Sequence, residues 1–361
     1  MRCRNCQIEN HNTAKFCSEC GVSLVEISPT SSITEENPVV RIGSVVYPAF
    51  AMLAGMQLDL FTPLKYGPMT AEQVAAAIGV GPAKLKPLLY ALATAGLLTV
   101  EGKLFANTEV PNRFFVRSSP CCMLGAQEHY SDLWQALLKT AESIRTGLPQ
   151  AKHDYSSMSS DQLERYIRNM HPETLGYGRD LVARFDLSSC CTLLDVGGGS
   201  GGLTTAVVEA LPHIQATIVD LPTVTPITKH LIEEAGVGNR IQVVAADVAR
   251  DPLPGSYDVA VLSAFLQVLS PDDARRSLKN IGRVVNQGGS IYIRGLGIID
   301  NSRTSPPDLV GFNLVFINYY DEGQAYTEQE HMDWLTEAGF EGFERINLSE
   351  GGSWITARKP R

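Results

Sequence analysis

The chain has 361 residues, 44% hydrophobic and 19% charged, with a formal net charge of −9 at pH 7. These figures describe a globular protein long enough for two or three domains, with substantial cores to bury. The acidic balance argues against nucleic acid or a membrane surface as the main partner, since both favour a basic face.

At the N-terminus, Cys3-x2-Cys6 and Cys17-x2-Cys20 are separated by ten residues. Two thiolate knuckles at that spacing close a tetrahedral Zn2+ site. So small a segment cannot build an adequate apolar core, so the metal would supply its folding free energy. Residues 1–24 are therefore read as a zinc ribbon, available to an unidentified protein partner or simply decorating the terminus. The start of the chain is polar and cysteine-rich, unlike a secretory signal, which leads to the expectation of a cytoplasmic protein. Residues 25–38, rich in Ser, Thr, Pro and Glu, read as a flexible tether.

Residues 39–152 carry mainly helical patterns. Val45 to Phe61 is apolar but interrupted by Pro48, Gln57 and Asp59, and is short for a membrane span. It is expected to be an intertwining helix of a homodimer. Thr70 and Gln73 stand at capping-box positions. A second helix is expected from about Gly81 to Ala95, then a hairpin around Glu101-Gly102-Lys103. Helix, turn, helix and wing suggest a winged helix, but the would-be recognition helix has only Lys84 and Lys86 near its start, few cations for phosphate binding. Dimerisation is the preferred reading, and a DNA-binding regulator the alternative. An amphipathic helix follows from Trp134 to Ile144. The pairs Cys121-Cys122 and Cys190-Cys191 are adjacent in sequence, poor geometry for a metal or an ordinary disulfide, and are assigned no chemistry.

Residues 153–361 open with a helix from Ser160 to Ala183. The apolar runs Leu193-Leu194, Ile218-Val219, Ile241-Val244, Val259-Leu262 and Ile291-Ile293 then alternate with helical segments. This predicts an α/β fold with a doubly wound, Rossmann-like parallel sheet, closed by a terminal hairpin from Phe343 to Ala357. The most informative stretch is Leu193-Leu-Asp195-Val-Gly197-Gly-Gly199-Ser-Gly201-Gly202, followed 18 residues later by Asp220. Glycines there let the backbone turn tightly and approach a ligand, while Asp220 is placed to accept hydrogen bonds from ribose hydroxyls. A dinucleotide site also fits G-x-G-x-x-G. A pyrophosphate, however, would gain nothing from Asp195, whereas the cationic sulfonium and ammonium of S-adenosylmethionine would.

From about Val39 to Arg358 the chain resembles the small-molecule O-methyltransferases of the acetylserotonin and caffeate type. The motifs that carry the resemblance are Leu194-Asp195-Val196-Gly-Gly-Gly-Ser-Gly201, Val219-Asp220-Leu221-Pro222, Ala246-Asp247-Val248, Gly288-Gly289, and Thr327-x-x-Glu330 leading to Ala338-Gly339-Phe340. The zinc ribbon lies outside that family's usual architecture. The resemblance implies a donor site in which Asp220 and Leu221 border the ribose, Asp247 and Val248 flank the adenine, and Met170 and Ser263 make further contacts. It also implies a base histidine after the fourth strand, but Gln267 stands there. One expected orienting glutamate is Ala325, beside Tyr326, and the other falls around Arg294-Gly295.

Glutamine cannot take a proton at neutral pH, so the acceptor atom is expected to be sulfur, nitrogen or carbon, which can attack without prior deprotonation. A methylthio-hydroxyacid S-methyltransferase is one example. The alternatives are an O-methyltransferase with a relocated base such as His171, and a binder that has kept the cofactor fold without the chemistry. Tyr130, Trp134, Tyr319, Tyr320 and Tyr326 are candidate pocket walls for a small-molecule acceptor. His129 and His171 are candidates to bind an acceptor carboxylate or to serve as a relocated base.

Overall fold

The computed structural model describes Arg2, Ile8, Glu9 and residues 37–155, 158–348 and 352–361. Cys3, Cys6, Cys17 and Cys20, on which the zinc reading rests, lie outside the described residues.

Helices Pro38–Gly43 and Tyr47–Gln57 run head to tail through a 3-10 turn. They form the one helical run among the described residues long and apolar enough to cross a membrane, at 20 residues. One side of this run buries Ala51 and Met56 with Leu85, Leu89 and Leu92 of helix Pro82–Thr94. Val39, Val45, Tyr47 and Phe50 are exposed in the single chain. Strands β1 (Met69–Thr70), β2 (Leu98–Glu101) and β3 (Leu104–Asn107) form a small sheet in the order β1-β3-β2, the wing expected from the sequence. The capping box is present, with Thr70 and Gln73 each bonding the other's backbone N–H. The single helix expected from Trp134 to Ile144 is instead two, Ala126–Leu137 and Thr140–Thr146. Leu138, between them, is 87% exposed; with no apolar packing to gain there, the helix has no reason to run straight on.

The larger sheet is built from β4 (Thr192–Val196), β5 (Gln215–Asp220), β6 (Ile241–Ala245), β7 (Tyr257–Ser263) and β8 (Val285–Gly295), all parallel. The short strands β9 (Ile298–Ile299) and β10 (Tyr326–Thr327) pair beside it. The terminal hairpin of β11 (Glu341–Asn347) and β12 (Ser353–Arg358) joins it antiparallel, giving the order β11-β12-β8-β7-β4-β5-β6. Leu193, Leu194, Val259, Val261, Ile291 and Ile293 are buried in two cores, one on each sheet face, which is why these strands read as unbroken apolar runs. Strand order reverses at β4, and in such sheets ligands bind beyond the carboxyl ends of the strands at that reversal.

Helix Ser160–Arg184 crosses helix Gly202–Ala210 at Gly178. A Cβ there would lie 2.3 Å from the Leu203 carbonyl and 2.8 Å from the Ala206 Cβ, so only glycine allows the approach. This crossing sets the long helix over the glycine loop.

Candidate active site

The glycine loop leaves β4 with Gly197, Gly199 and Gly201 at φ of 66°, 55° and 71°, a region costly for any residue with a Cβ. Gly197 N–H donates to the Val219 carbonyl at 2.8 Å. Asp220, the last residue of β5, holds the loop from the other side: its carboxylate accepts from Gly199 N–H and Leu221 N–H, each at 2.7 Å. Burial raises the Asp220 pKa, and these two donors oppose the rise. Thr228 ties the loop down further by donating to the Gly199 carbonyl at 2.6 Å.

Asp195 is 1% exposed and accepts from the Thr204 hydroxyl at 2.6 Å. Burial pushes its pKa up to about 7. A cation arriving nearby would favour the ionised form, so a cationic ligand seated there would bind more tightly as pH rises through that value. Asp247 caps a turn through Ala249 N–H and pairs with Arg250, leaving Val248 buried against the same space.

Asp195, Gly197, Gly199, Asp220, Asp247 and Val248 line one cavity of about 990 Å³ beyond the strand ends, together with Met170, Leu221 and Ser263. The volume accommodates a nucleoside-sized donor with a small acceptor. Glycine backbone and two carboxylates, Asp220 at a strand end and the buried Asp195, suit S-adenosylmethionine by shape and by sign of charge.

Beyond the donor half, the cavity is walled by aromatic side chains. His153 stacks on Tyr319 at 4.1 Å between ring centroids and 7° between planes, and lies 5.2 Å from Tyr166. Tyr155 lies 5.8 Å from Tyr166, and Tyr320 borders the same space. Burial raises the Tyr155, Tyr166 and Tyr320 hydroxyl pKa values and pushes that of Tyr319 up to about 12, so all remain neutral. Burial lowers the His129 pKa and takes that of His153 down to about 4. Both imidazoles are uncharged at neutral pH.

Gln267 is 7% exposed and lines the cavity from a short turn after β7. Its methylene groups press on Gly297, where a Cβ would approach within 2.6 Å. Ala325 is fully buried among Ile299, Leu309 and Phe316, surroundings in which a glutamate would find no charge partner. At the remaining glutamate position, Arg294 projects at the carboxyl end of β8.

Four expected residues lie elsewhere, the first being Gly201, which turns the loop at positive φ without bordering the cavity. Tyr326 does not border the cavity: its hydroxyl donates to the Leu269 carbonyl at 2.6 Å and its ring packs on Trp334, making it a core residue. His171 is not among the lining residues either; it lies near Arg168 and Glu234. Trp134 packs edge-on against Phe50, 5.1 Å away. Tyr130, Tyr319, Tyr320 and His129 do line the cavity. Sequence reasoning missed His153 and Tyr155, and it took Met170 alone from the stripe Tyr166, Met170, Glu173, Tyr177. The stripe's signal was present, since spacings of four, three and four place these residues on one helical face.

A Rossmann-like sheet bearing this donor cradle, with an aromatic acceptor chamber opening from it, defines an S-adenosylmethionine-dependent methyltransferase of small molecules. The O-methyltransferase domain family matches residues 133–341, and the O-methyltransferase dimerisation domain matches residues 45–117; the chain belongs to that family. It is similar to 3-hydroxy-5-methyl-1-naphthoate 3-O-methyltransferase of Streptomyces sahachiroi, with 27% identity across 84% of this chain and 88% of that protein. L-tyrosine C(3)-methyltransferase of Streptomyces lavendulae is 26% identical across 82% of this chain and 84% of its own length. In fold, the chain is similar to human N-acetylserotonin methyltransferase in complex with S-adenosylmethionine, with a TM-score of 0.76 and 21% identity over 93% of this chain and all of that one.

Proposed function

We propose that the methyl acceptor is a sulfur, nitrogen or carbon atom of a small molecule and that it attacks without a general base, a thioether ending as a sulfonium and a neutral amine or electron-rich carbon releasing its proton to solvent after transfer. The observation that carries this reading is the joint replacement of the expected base and its orienters by Gln267, buried Ala325 and Arg294. The donor supplies an electrophilic methyl group. Asp220 holds the donor's ribose, Val248 and Asp247 flank its adenine, and Met170 and Ser263 border its sulfur end. Tyr155, Tyr166, Tyr319 and Tyr320 exclude water and present π faces to positive charge developing on the acceptor. Gln267 orients the acceptor rather than taking its proton. Holding reacting atoms about 3–3.5 Å apart can contribute several kcal/mol to lowering the barrier. That the family includes both an O- and a C-methyltransferase by name accords with a fold that tolerates different acceptor atoms.

The test is turnover against pH at saturating donor. A general base is worth roughly 10²- to 10⁴-fold, and an ordinary imidazole would impose a step near about pH 6.5. The expected profile is flat from about pH 6 to 8.5, with Gln267→Ala costing less than about tenfold. A step near 6.5, or a loss of 10²-fold or more in the variant, would show that a base or Gln267 itself takes part in proton transfer.

We also read the exposed apolar run of Val39, Val45, Tyr47 and Phe50 as the face that a second copy covers, because the dimerisation match begins at residue 45. Light scattering is expected to give two chains per particle, and a Val45→Glu/Phe50→Glu double variant to give one. A wild-type monomer would defeat this reading. For residues 1–24 we retain the zinc ribbon, on the spacing of Cys3, Cys6, Cys17 and Cys20. Metal analysis of purified protein is expected to find one zinc per chain, lost on Cys17→Ser/Cys20→Ser substitution; a metal-free, stable wild type would refute it.

A further inference from the structure

Four cationic side chains border the cavity: Lys152, Arg168, Arg250 and Arg294. Three are neutralised by carboxylates. Lys152 pairs with Asp321 at 2.5 Å, Arg168 with Glu164 and Glu234 at 2.9 Å each, and Arg250 with Asp247. Arg294 has no ion pair among the described residues. Its Nε is buried without a hydrogen-bond partner, and its guanidinium carbon lies 3.3 Å from the centroid of the Tyr177 ring. The Tyr177 hydroxyl is in turn committed to Glu173.

A guanidinium is always charged in a protein; Arg294 is half-buried, and its buried Nε–H carries the cost of an unmade hydrogen bond. Stacking on Tyr177 fixes the plane of the fork, and the guanidinium also donates to the Tyr177 hydroxyl, but Nε–H is left without a partner. A planar fork with an unused N–H matches a carboxylate, which can accept two parallel bonds from it.

Position decides whose carboxylate this is. Arg294 is the register partner of Ser263 on β7 and precedes Gly295, where a Cβ would lie 3.5 Å from Gln267 Oε1. It therefore stands beside Gln267 at the acceptor end, whereas the glycine loop and Asp220 occupy β4 and β5. We infer that Arg294 anchors a carboxylate on the acceptor molecule, so that the substrate class is a small carboxylic acid seated between the aromatic walls and this guanidinium. This deepens the function proposed above and rests on the same chamber being the acceptor site.

The test is binding, which separates it from the question of which atom is methylated. Calorimetry is performed on the full-length protein loaded with S-adenosylhomocysteine, using two matched pairs of probes. They are 2-naphthoate with 2-naphthamide, and 4-methylthio-2-hydroxybutanoate with its amide. Wild type is expected to prefer the acid over the amide by about 10- to 100-fold in at least one pair. Arg294→Met should abolish that preference while S-adenosylhomocysteine affinity stays within about threefold, and Arg294→Lys should retain part of the preference. No acid preference in either pair for wild type overturns the inference. So does a tenfold or greater loss of S-adenosylhomocysteine affinity in folded Arg294→Lys, which would assign the guanidinium to the donor. If Arg294→Met fails to fold, the wild-type preference and the Arg294→Lys variant still decide.

Discussion

Replacing Asp220 with asparagine is expected to weaken S-adenosylhomocysteine binding by about 100-fold or more, read by calorimetry. The carboxylate has two tasks. It accepts Gly199 N–H and Leu221 N–H at 2.7 Å each, fixing a loop whose glycines are at positive φ, and by our reading it also receives the ribose hydroxyls. Hydrogen bonds to a charged acceptor contribute about 1.5–3 kcal/mol each, and asparagine offers one carbonyl oxygen where the aspartate offers two. Losing one such bond to the loop and another to the ribose accounts for a 100-fold loss. If Asp220→Asn bound the ligand within about threefold of wild type, the ribose assignment would fail.

The second large effect lies away from the ligand. Gly178→Val is expected to destabilise the methyltransferase portion by about 3 kcal/mol or more, roughly a 6–12 °C fall in melting temperature. The valine Cβ would start 2.3 Å from a backbone carbonyl, which cannot swing aside as a side chain can. The same helix carries Tyr166, Met170, Glu173 and Tyr177 into the cavity, so donor affinity should fall along with stability. Gly176→Ala is the control: a Cβ there meets nothing within 4 Å, and its melting temperature should stay close to that of wild type. Equal stability of wild type and Gly178→Val would mean that the helices cross elsewhere.

The donor half of the site could be read from the sequence because its determinants are local. A strand, a glycine turn and the carboxylate ending the next strand follow one another within 28 residues, from Leu193 to Asp220. The parallel register of β4 with β5 then brings them together. The capping boxes at Thr70–Gln73 and Thr327–Glu330 were legible for the same reason, each being closed within one helical turn.

The acceptor half was legible only in part, since Tyr130, His129, Tyr319 and Tyr320 were foreseen but His153 and Tyr155 were not, because it is assembled from four separated segments. His153 and Tyr155 come from a connection without periodicity, and Tyr319 and Tyr320 from the end of a helix far along the chain. His171 shows how adjacency misleads: one residue past Met170 on a helix is a turn of about 100°, enough to carry it out of the cavity while Met170 stays in. Tyr326 follows Ala325 in the motif yet points its hydroxyl at Leu269, since it sits on short strand β10 and is held as core. The absence of the expected base, by contrast, needed only residue identity at Gln267 and Ala325.

The destination of the methyl group distinguishes a base-free transfer from a base-assisted one. Incubating the protein with S-adenosylmethionine carrying a deuterated methyl group and with small carboxylic acids bearing thioether, amine, nucleophilic carbon or hydroxyl functions, then locating the label by NMR, reads this directly. The predicted result is label on sulfur, nitrogen or carbon, with transfer by Asp220→Asn reduced about 100-fold at subsaturating donor. Label on a hydroxyl oxygen at a comparable rate would contradict the base-free mechanism.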